Sequence, residues 1–362
     1  MQTVERAKPA PELVTLEEIR AAEERIRGAV VRTPLLPFGP PIAGDRYGRT
    51  RAWLKPESLQ PIGAFKLRGA YNAVASLTTE QGARGVVAHS SGNHAQGVAR
   101  AARLLGIHAV VVMPEGAPAL KVDRVRADGA EIVFVGPDPD ERAERAHQLA
   151  VDRGLNLVPS YDDRRIIAGQ GTAGLEIVEQ VETGGESAIA PRGMPFTVLV
   201  PVGGGGLSGG VATAVKSQRP EARVFGVEPE LAADAAESLR AGRIAKWSAD
   251  QAARTVADGL RTTALSPLTF AQLQRWLDGM LTVSEAEIAD AMVAAADGAR
   301  LILEPSGAVS LAAWLFHADE LPGDGPVICL LSGGNVDADT YARLIDQGRS
   351  TGRSAGDAST PV

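Results

Sequence analysis

The sequence predicts an α/β chain in which parallel strands are joined by crossover helices. Three observations carry that reading: short β-branched runs that are apolar throughout, longer amphipathic stretches between them, and glycine-rich segments where one gives way to the other. Strands are expected at 86–89, 109–113, 132–135, 197–201, 224–227 and 327–331. Their nearly unbroken apolar character is that of parallel strands buried on both faces. Helices are expected at 96–105, 140–153, 175–181 and 288–303, where apolar residues recur at helical spacing. Three of the strands precede residue 160 and the other three follow residue 196, with the Gly-, Ser- and Pro-containing stretch 183–195 read as a surface loop. Two packed α/β units with a cleft between them fit this spacing.

Composition narrows the function classes. At 362 residues the chain is long enough for two domains, and 44% hydrophobic with 22% charged residues is ordinary for a globular protein. The 40 glycines favour a fold with many tight turns. A net charge of −7, with basic residues scattered along helices, argues against a nucleic-acid partner. The one cysteine, Cys329, sits in the apolar run Val327-Ile328-Cys329-Leu330-Leu331, which excludes an intramolecular disulfide and reads as a small buried hydrophobe. Residues 1–13 are polar with no apolar core, and no run approaches the roughly 20 residues that cross a bilayer. A soluble cytoplasmic protein with no membrane partner is the expectation.

Ligands in such sheets bind at the carboxyl ends of strands. The loop His89-Ser90-Ser91-Gly92-Asn93-His94 leaves a strand and opens a helix, and its polar side chains can cap that helix or hold a ligand. The loop Pro201-Val202-Gly203-Gly204-Gly205-Gly206-Leu207-Ser208-Gly209-Gly210 lets successive amides converge on an anion at a helix N-terminus. It also fits G-x-G-x-x-G, with Glu228 about 20 residues on, so a nicotinamide oxidoreductase is a rival on this motif alone. Leu331-Ser332-Gly333-Gly334-Asn335 ends the last apolar strand. A lone lysine is ordinarily a solvated charge, but Lys66 stands between Phe65 and Leu67, where partial desolvation favours the nucleophilic neutral amine. One shielded lysine and a phosphate cradle are the minimal equipment for holding pyridoxal phosphate as a Schiff base.

These segments resemble the threonine/serine dehydratase and serine racemase family, pyridoxal-phosphate enzymes of fold type II with a tryptophan synthase β-like architecture. The resemblance rests on residues 58–70, 90–95, 203–206 and 331–335 and on Glu304-Pro305-Ser306-Gly307-Ala308, and it runs from about 15 to 345. It implies a large cofactor-binding domain of residues 1–75 and 164–347 and a small domain of 76–163; the stretch 348–362, rich in Ser, Thr, Gly and Asp, is read from its composition as a disordered tail. It implies that Lys66 forms the Schiff base and later moves protons at Cα, with Ser91 acting on the opposite face. Asn93 would bond the phenolic oxygen of the cofactor, Phe65 would lie beside it, and Ser332 would face the ring nitrogen. Gly203, Gly204, Gly205, Gly206 and Leu207 would hold the phosphate. Ser90, Ser91, Gly92, Asn93 and His94 would receive the substrate carboxylate. The implied reaction is elimination of water from L-threonine, L-serine or a 3-hydroxy relative, giving a 2-oxo acid and ammonia.

The segment Gly226-Val227-Glu228-Pro229-Glu230-Leu231-Ala232-Ala233-Asp234 is similar to the divalent-cation site of the racemase-like branch. Glu228, Ala232 and Asp234 would then bind Mg²⁺ or Ca²⁺; the alternative is that both carboxylates are surface loop residues. Arg261, in Ala257-Asp258-Gly259-Leu260-Arg261-Thr262, would select an acidic or hydroxylated side chain or form a surface salt bridge. Ala64 stands where many relatives have serine, and Pro61-Ile62 and 263–267 also depart from the commonest dehydratase pattern, which leaves the preferred substrate open. The alternatives within the resemblance are a serine or aspartate racemase, a 3-hydroxyaspartate dehydratase and, further off, a cysteine synthase-like transferase. By the same analogy a homodimer is expected, and no isoleucine-sensing regulatory domain.

Overall fold

The computed structural model describes residues 11–39, 51–90, 92–117 and 119–356. After α1 (Leu16–Ile26), opened by a Thr15/Glu18 capping box, come β1 (Leu36–Phe38), β2 (Ala52–Pro56) and α2 (Lys66–Ala75). Helices and strands then alternate: α3 (Thr79–Arg84), β3 (Val86–His89), α4 (Asn93–Leu105), β4 (Ala109–Pro114), α5 (Ala119–Ala127), β5 (Glu131–Val135), α6 (Pro139–Arg153) and β6 (Asn156–Leu157). The long α7 (Arg164–Glu182), capped by Asp163, leads to β7 (Thr197–Pro201), α8 (Gly206–Gln218), β8 (Arg223–Pro229) and α9 (Asp234–Ala241). Last come α10 (Ala249–Ala252), α11 (Pro267–Trp276), β9 (Gly279–Val283), α12 (Glu285–Ala294), α13 (Pro305–His317), β10 (Val327–Leu331) and α14 (Ala338–Gly356).

The strands form two sheets, ordered β1-β2-β10-β7-β8-β9 and β5-β4-β3-β6. Every pairing is parallel except β1 with β2. All of β7 and β10 is buried, as their unbroken apolar sequences require. Because β2, β10, β7 and β8 run in parallel, their carboxyl ends share one edge of the larger sheet. The loops carrying the lysine, the glycines and Ser332 therefore open side by side. No helix among the described residues is long and apolar enough to cross a membrane.

Four buried charges brace the frame beneath that edge. Lys55 Nζ donates to Glu176 at 2.5 Å and to the Thr33 carbonyl at 2.7 Å. Arg68 donates through Nε to Glu57 and through Nη1 to Glu176, both at 2.7 Å. Burial lowers the pKa of Lys55, and nearby Glu176 and Glu57 oppose the shift. Burial pushes Glu57 upward, but the Arg68 guanidinium overrides it and holds the carboxyl below its usual range. The cluster ties β2 and α2 to α7.

Two expectations need correction. Residues 348–356, expected in a disordered tail, continue α14, and Gly348 lies close against the Ala289 carbonyl of α12; 357–362 lie outside the described residues. The helix expected over 288–303 ends at Ala294, loosens into a π turn over Ala295–Ala299 and stops at Arg300 in the left-handed region (φ 59°).

Candidate active site

Lys66 is the first residue of α2, delivered by a loop that turns at Gly63 (φ 74°). That loop is stitched to the end of β10: Phe65 N–H donates to the Ser332 carbonyl at 3.1 Å, and Ala64 bridges to Gly333. The Lys66 ammonium is enclosed, and its hydrogen-bond acceptor is the Ser160 carbonyl at 2.9 Å. Burial pushes its pKa down to about 8, because no carboxylate stands by to hold the charge. Phe65 lies alongside, with its ring centroid 5.2 Å from Nζ.

Two helix N-termini point into this region without side-chain caps. Gly205, at φ 85°, starts α8, whose first amides have no capping side chain. Gly92 likewise starts α4 with no side-chain cap, while its own N–H donates to Ser90 Oγ at 3.1 Å. Among the described residues of the 89–94 loop, no side chain caps the start of α4, which is open to an anion. The Tyr161 ring lies directly on the glycine loop: a Cβ at Gly204 would come within 2.2 Å of its ring carbons.

Asn93 Nδ2 donates to Glu304 Oε1 at 2.6 Å, and Asn93 Oδ1 accepts from Asn335 Nδ2 at 2.7 Å. Glu304 is buried, and burial together with nearby Asp258 pushes its pKa up to about 8. Ser332 Oγ donates to the Ser306 carbonyl at 3.2 Å. His94 is 2% exposed; its Nε2 meets the Val158 carbonyl at 2.9 Å, and burial followed by the nearby Lys66 charge lowers its pKa to about 3. A neutral imidazole turned away in this manner leaves the backbone amide as what His94 can offer an anion. Ser91, expected as the second catalytic group, lies outside the described residues.

The expected cation residues also come together. Glu228 and Asp234 are fully buried, as is Ala232, so they are not surface loop residues. Glu228 accepts the amides of Ala235 and Ala236 at 3.1 and 2.7 Å, whereas both Asp234 carboxylate oxygens lack any partner. Burial pushes Asp234 up to about 7 and Glu228 well above its usual range. A hard cation fits two buried carboxylates, one of them with both oxygens orphaned, and a neighbouring carbonyl. Among the described residues no cluster of three or more His, Cys, Asp or Glu side chains is arranged to hold a metal, so such a cation would need carbonyl and water ligands as well. Among the described residues Arg261 forms no ion pair; Nε and Nη2 both donate to the Thr255 carbonyl, at 2.9 and 2.5 Å.

Several neighbours carried no assignment from sequence. Glu304 and Asp258 lie in segments singled out there, but nothing in their spacing marks a contact with Asn93 or with Lys121, which pairs with Asp258 at 2.6 Å. Ser160 and Tyr161 reach the site from the connection between β6 and α7, which carries no motif.

The family model described as pyridoxal-phosphate dependent enzyme matches residues 26–333. The chain is 40% identical to L-threo-3-hydroxyaspartate ammonia-lyase of Saccharomyces cerevisiae, over 91% of this chain and 96% of that one. It is also 40% identical to serine racemase of Arabidopsis thaliana, over 92% and 95% of the two chains. The crystal structure of T.th. threonine deaminase superposes with a TM-score of 0.81 at 44% identity, covering 89% of this chain and 99% of that one. The enclosed lysine, the uncapped glycine loop and these likenesses agree, and the chain belongs to the family of pyridoxal-phosphate-dependent enzymes.

Proposed function

We propose that the chain is an ammonia-lyase that converts L-threonine, L-serine or a 3-hydroxy relative to a 2-oxo acid and ammonia. The observation that carries this reading is the enclosed Lys66 amine, lowered to about 8 and lying beside two uncapped helix N-termini. When bound, pyridoxal phosphate accepts the electron pair left at Cα when its proton departs. The residues divide the remaining work. Lys66 would carry the cofactor and, once displaced by the substrate amine, take the Cα proton. The amides of Gly203, Gly204, Gly205, Gly206 and Leu207 would hold the phosphate, with the dipole of α8 behind them. The start of α4, with Ser90, would receive the substrate carboxylate, Asn93 the phenolic oxygen and Ser332 the ring nitrogen. In the net reaction the β-hydroxyl leaves as water, one water returns, and ammonia departs.

Mg²⁺ or Ca²⁺ would be held by Glu228, Asp234 and the Ala232 carbonyl, neutralising two buried carboxylates, one near the end of β8 and one at the start of α9; β8 lies beside β7, from which the glycine loop emerges. The small sheet with its helices, 76–163, would move as one domain against 1–75 with 164–347. A homodimer would cover Leu59 and Ile302, which stand 47% and 60% exposed on loops that meet at Gly334.

The likeness to serine racemase supports a second reading in which racemisation shares the site. One experiment decides between them: ketoacid release and amino-acid chirality, followed on L-threonine, L-serine and both hydroxyaspartates, with Lys66→Ala alongside. Lysine-dependent ketoacid from one substrate supports the lyase. Inverted amino acid without ketoacid replaces it with the racemase.

A further inference from the structure

Asn93, read above as the partner of the cofactor's phenolic oxygen, can serve that oxygen only if its carboxamide is turned the right way. An amide presents a donor from one end and an acceptor from the other, and a flip exchanges them. From the structure we infer that Asn335 is the positioning residue that sets this orientation, so that Asn93 offers N–H and not C=O to the cofactor. The inference rests on that reading of Asn93.

Each group in the chain of contacts is limited in what it can donate or accept. Arg124, on α5, can only donate, and it donates to Asn335 Oδ1. The opposite end of Asn335 must then be its nitrogen, and Nδ2 gives its two hydrogens to the Ile62 carbonyl and to Asn93 Oδ1, both at 2.7 Å. With its oxygen engaged, Asn93 turns Nδ2 toward Glu304 Oε1, at 2.6 Å. One hydrogen of Nδ2 is used there, and the second remains for the cofactor.

While it holds its proton, below about pH 8, Glu304 cannot impose this direction itself. A protonated carboxyl donates as readily as it accepts, and would satisfy either face of Asn93. Asn335 is 6% exposed and its corner is sterically defined, because a Cβ at Gly63 would lie 2.4 Å from Asn335 Oδ1. The charged and titratable groups around this chain are Lys121 and Arg124 on α5, Asp258 on the loop before α11, Glu304 itself, and the Arg100–Asp128 ion pair, which lines the cavity beside Arg124 and Asn335. Arg124 reinforces the orientation, but the Ile62 carbonyl also requires the nitrogen of Asn335 on its side.

The test is a pH titration of the visible absorption band of the holoenzyme, because a donor on the phenolic oxygen stabilises its anion and so moves the titration of the lysine–cofactor linkage. Asn93→Ala gives the reference displacement, expected to be about one pH unit for one lost hydrogen bond to a charged oxygen. Asn335→Ala and Asn335→Ser are expected to move the titration in the same direction by at least half as much, with unchanged melting temperature and a fall in kcat larger than any change in KM. Arg124→Met is expected to leave the titration nearly where it was. A displacement by Arg124→Met as large as that of Asn335→Ala would show that charge, not amide orientation, acts here, and would overturn the inference. So would wild-type titration in both Asn335 variants while Asn93→Ala is displaced. If Asn93→Ala itself leaves the band unmoved, the assignment of Asn93 to the phenolic oxygen falls, and the inference falls with it.

Discussion

An amine forced to stay unpaired inside a fold costs stability, and Lys66 allows that cost to be measured. Its pKa falls from 10.5 to about 8 through burial, and at about 1.4 kcal/mol per pH unit the difference is worth about 3 kcal/mol. The folded pKa lies below the unfolded one. The cost is therefore full below pH 8, shrinks as pH rises between the two values, and is gone above 10.5. Lys66→Met removes it but forfeits the hydrogen bond to Ser160, a loss of about 1 kcal/mol, leaving a gain of about 2 kcal/mol. With an unfolding entropy of about 2.1 cal/mol/K per residue over 362 residues, that gain raises the melting temperature by about 3 °C. The assay is scanning calorimetry of cofactor-free wild type and variant at pH 7 and pH 10. Other groups that titrate in this range are common to both proteins and cancel in the difference. A variant no more stable than wild type at pH 7, or an advantage that persists undiminished at pH 10, would refute the claim that Lys66 is held as a desolvated amine.

Three further outcomes are expected. Because burial raises Asp234 from 3.8 to about 7 and Glu228 well above its usual range, stability falls as pH climbs between those two values of Asp234, and its cost is full above about 7; Mg²⁺ or Ca²⁺ at 100 times its Kd should return about 2.7 kcal/mol at pH 8, much less at pH 5, and nothing in Asp234→Asn, as read by thermal melts with and without chelator. Gly204→Ala drives a methyl into the Tyr161 ring and should weaken cofactor binding about tenfold or more, whereas Gly116→Ala, with nothing within 4 Å, should leave the absorbance titration unchanged. Arg68→Met strands Glu57 as a buried charge without its cation, while Glu176 keeps Lys55, and denaturant melts should show a loss of about 3–5 kcal/mol.

The strands that sequence makes visible are those whose environment is uniform. The runs at 86–89, 197–201 and 327–331 are apolar because both of their faces are covered, and each is a strand at those bounds. β2 escapes the same reading because Lys55 interrupts Ala52-Trp53-Leu54, and only its distant partners Glu176 and Thr33 explain a lysine inside a sheet. β6 is two residues long, too short to present a period. In the candidate site, the residues with local signatures were legible: a lysine in apolar company, four consecutive glycines, and Ser332 just after a strand. Lys121, Tyr161 and Ser160 were not, because their part depends on the small sheet being folded against the large one, and contacts of that range leave no local trace. His94 shows the opposite failure, since its place in a ligand loop gives no warning that its ring faces the Val158 carbonyl.

The buried cluster beneath the lysine also constrains the order in which the chain can be assembled. Arg68 and Glu176 are 108 residues apart, and all four strands of the smaller sheet lie between them. While the chain is emerging, β2 and α2 bring two cations, Lys55 and Arg68, to a single anion, Glu57. One positive charge is left over, and an unpaired charge of this kind keeps its water. That charge is balanced only when α7 supplies Glu176, by which point every residue of the smaller sheet has already been made.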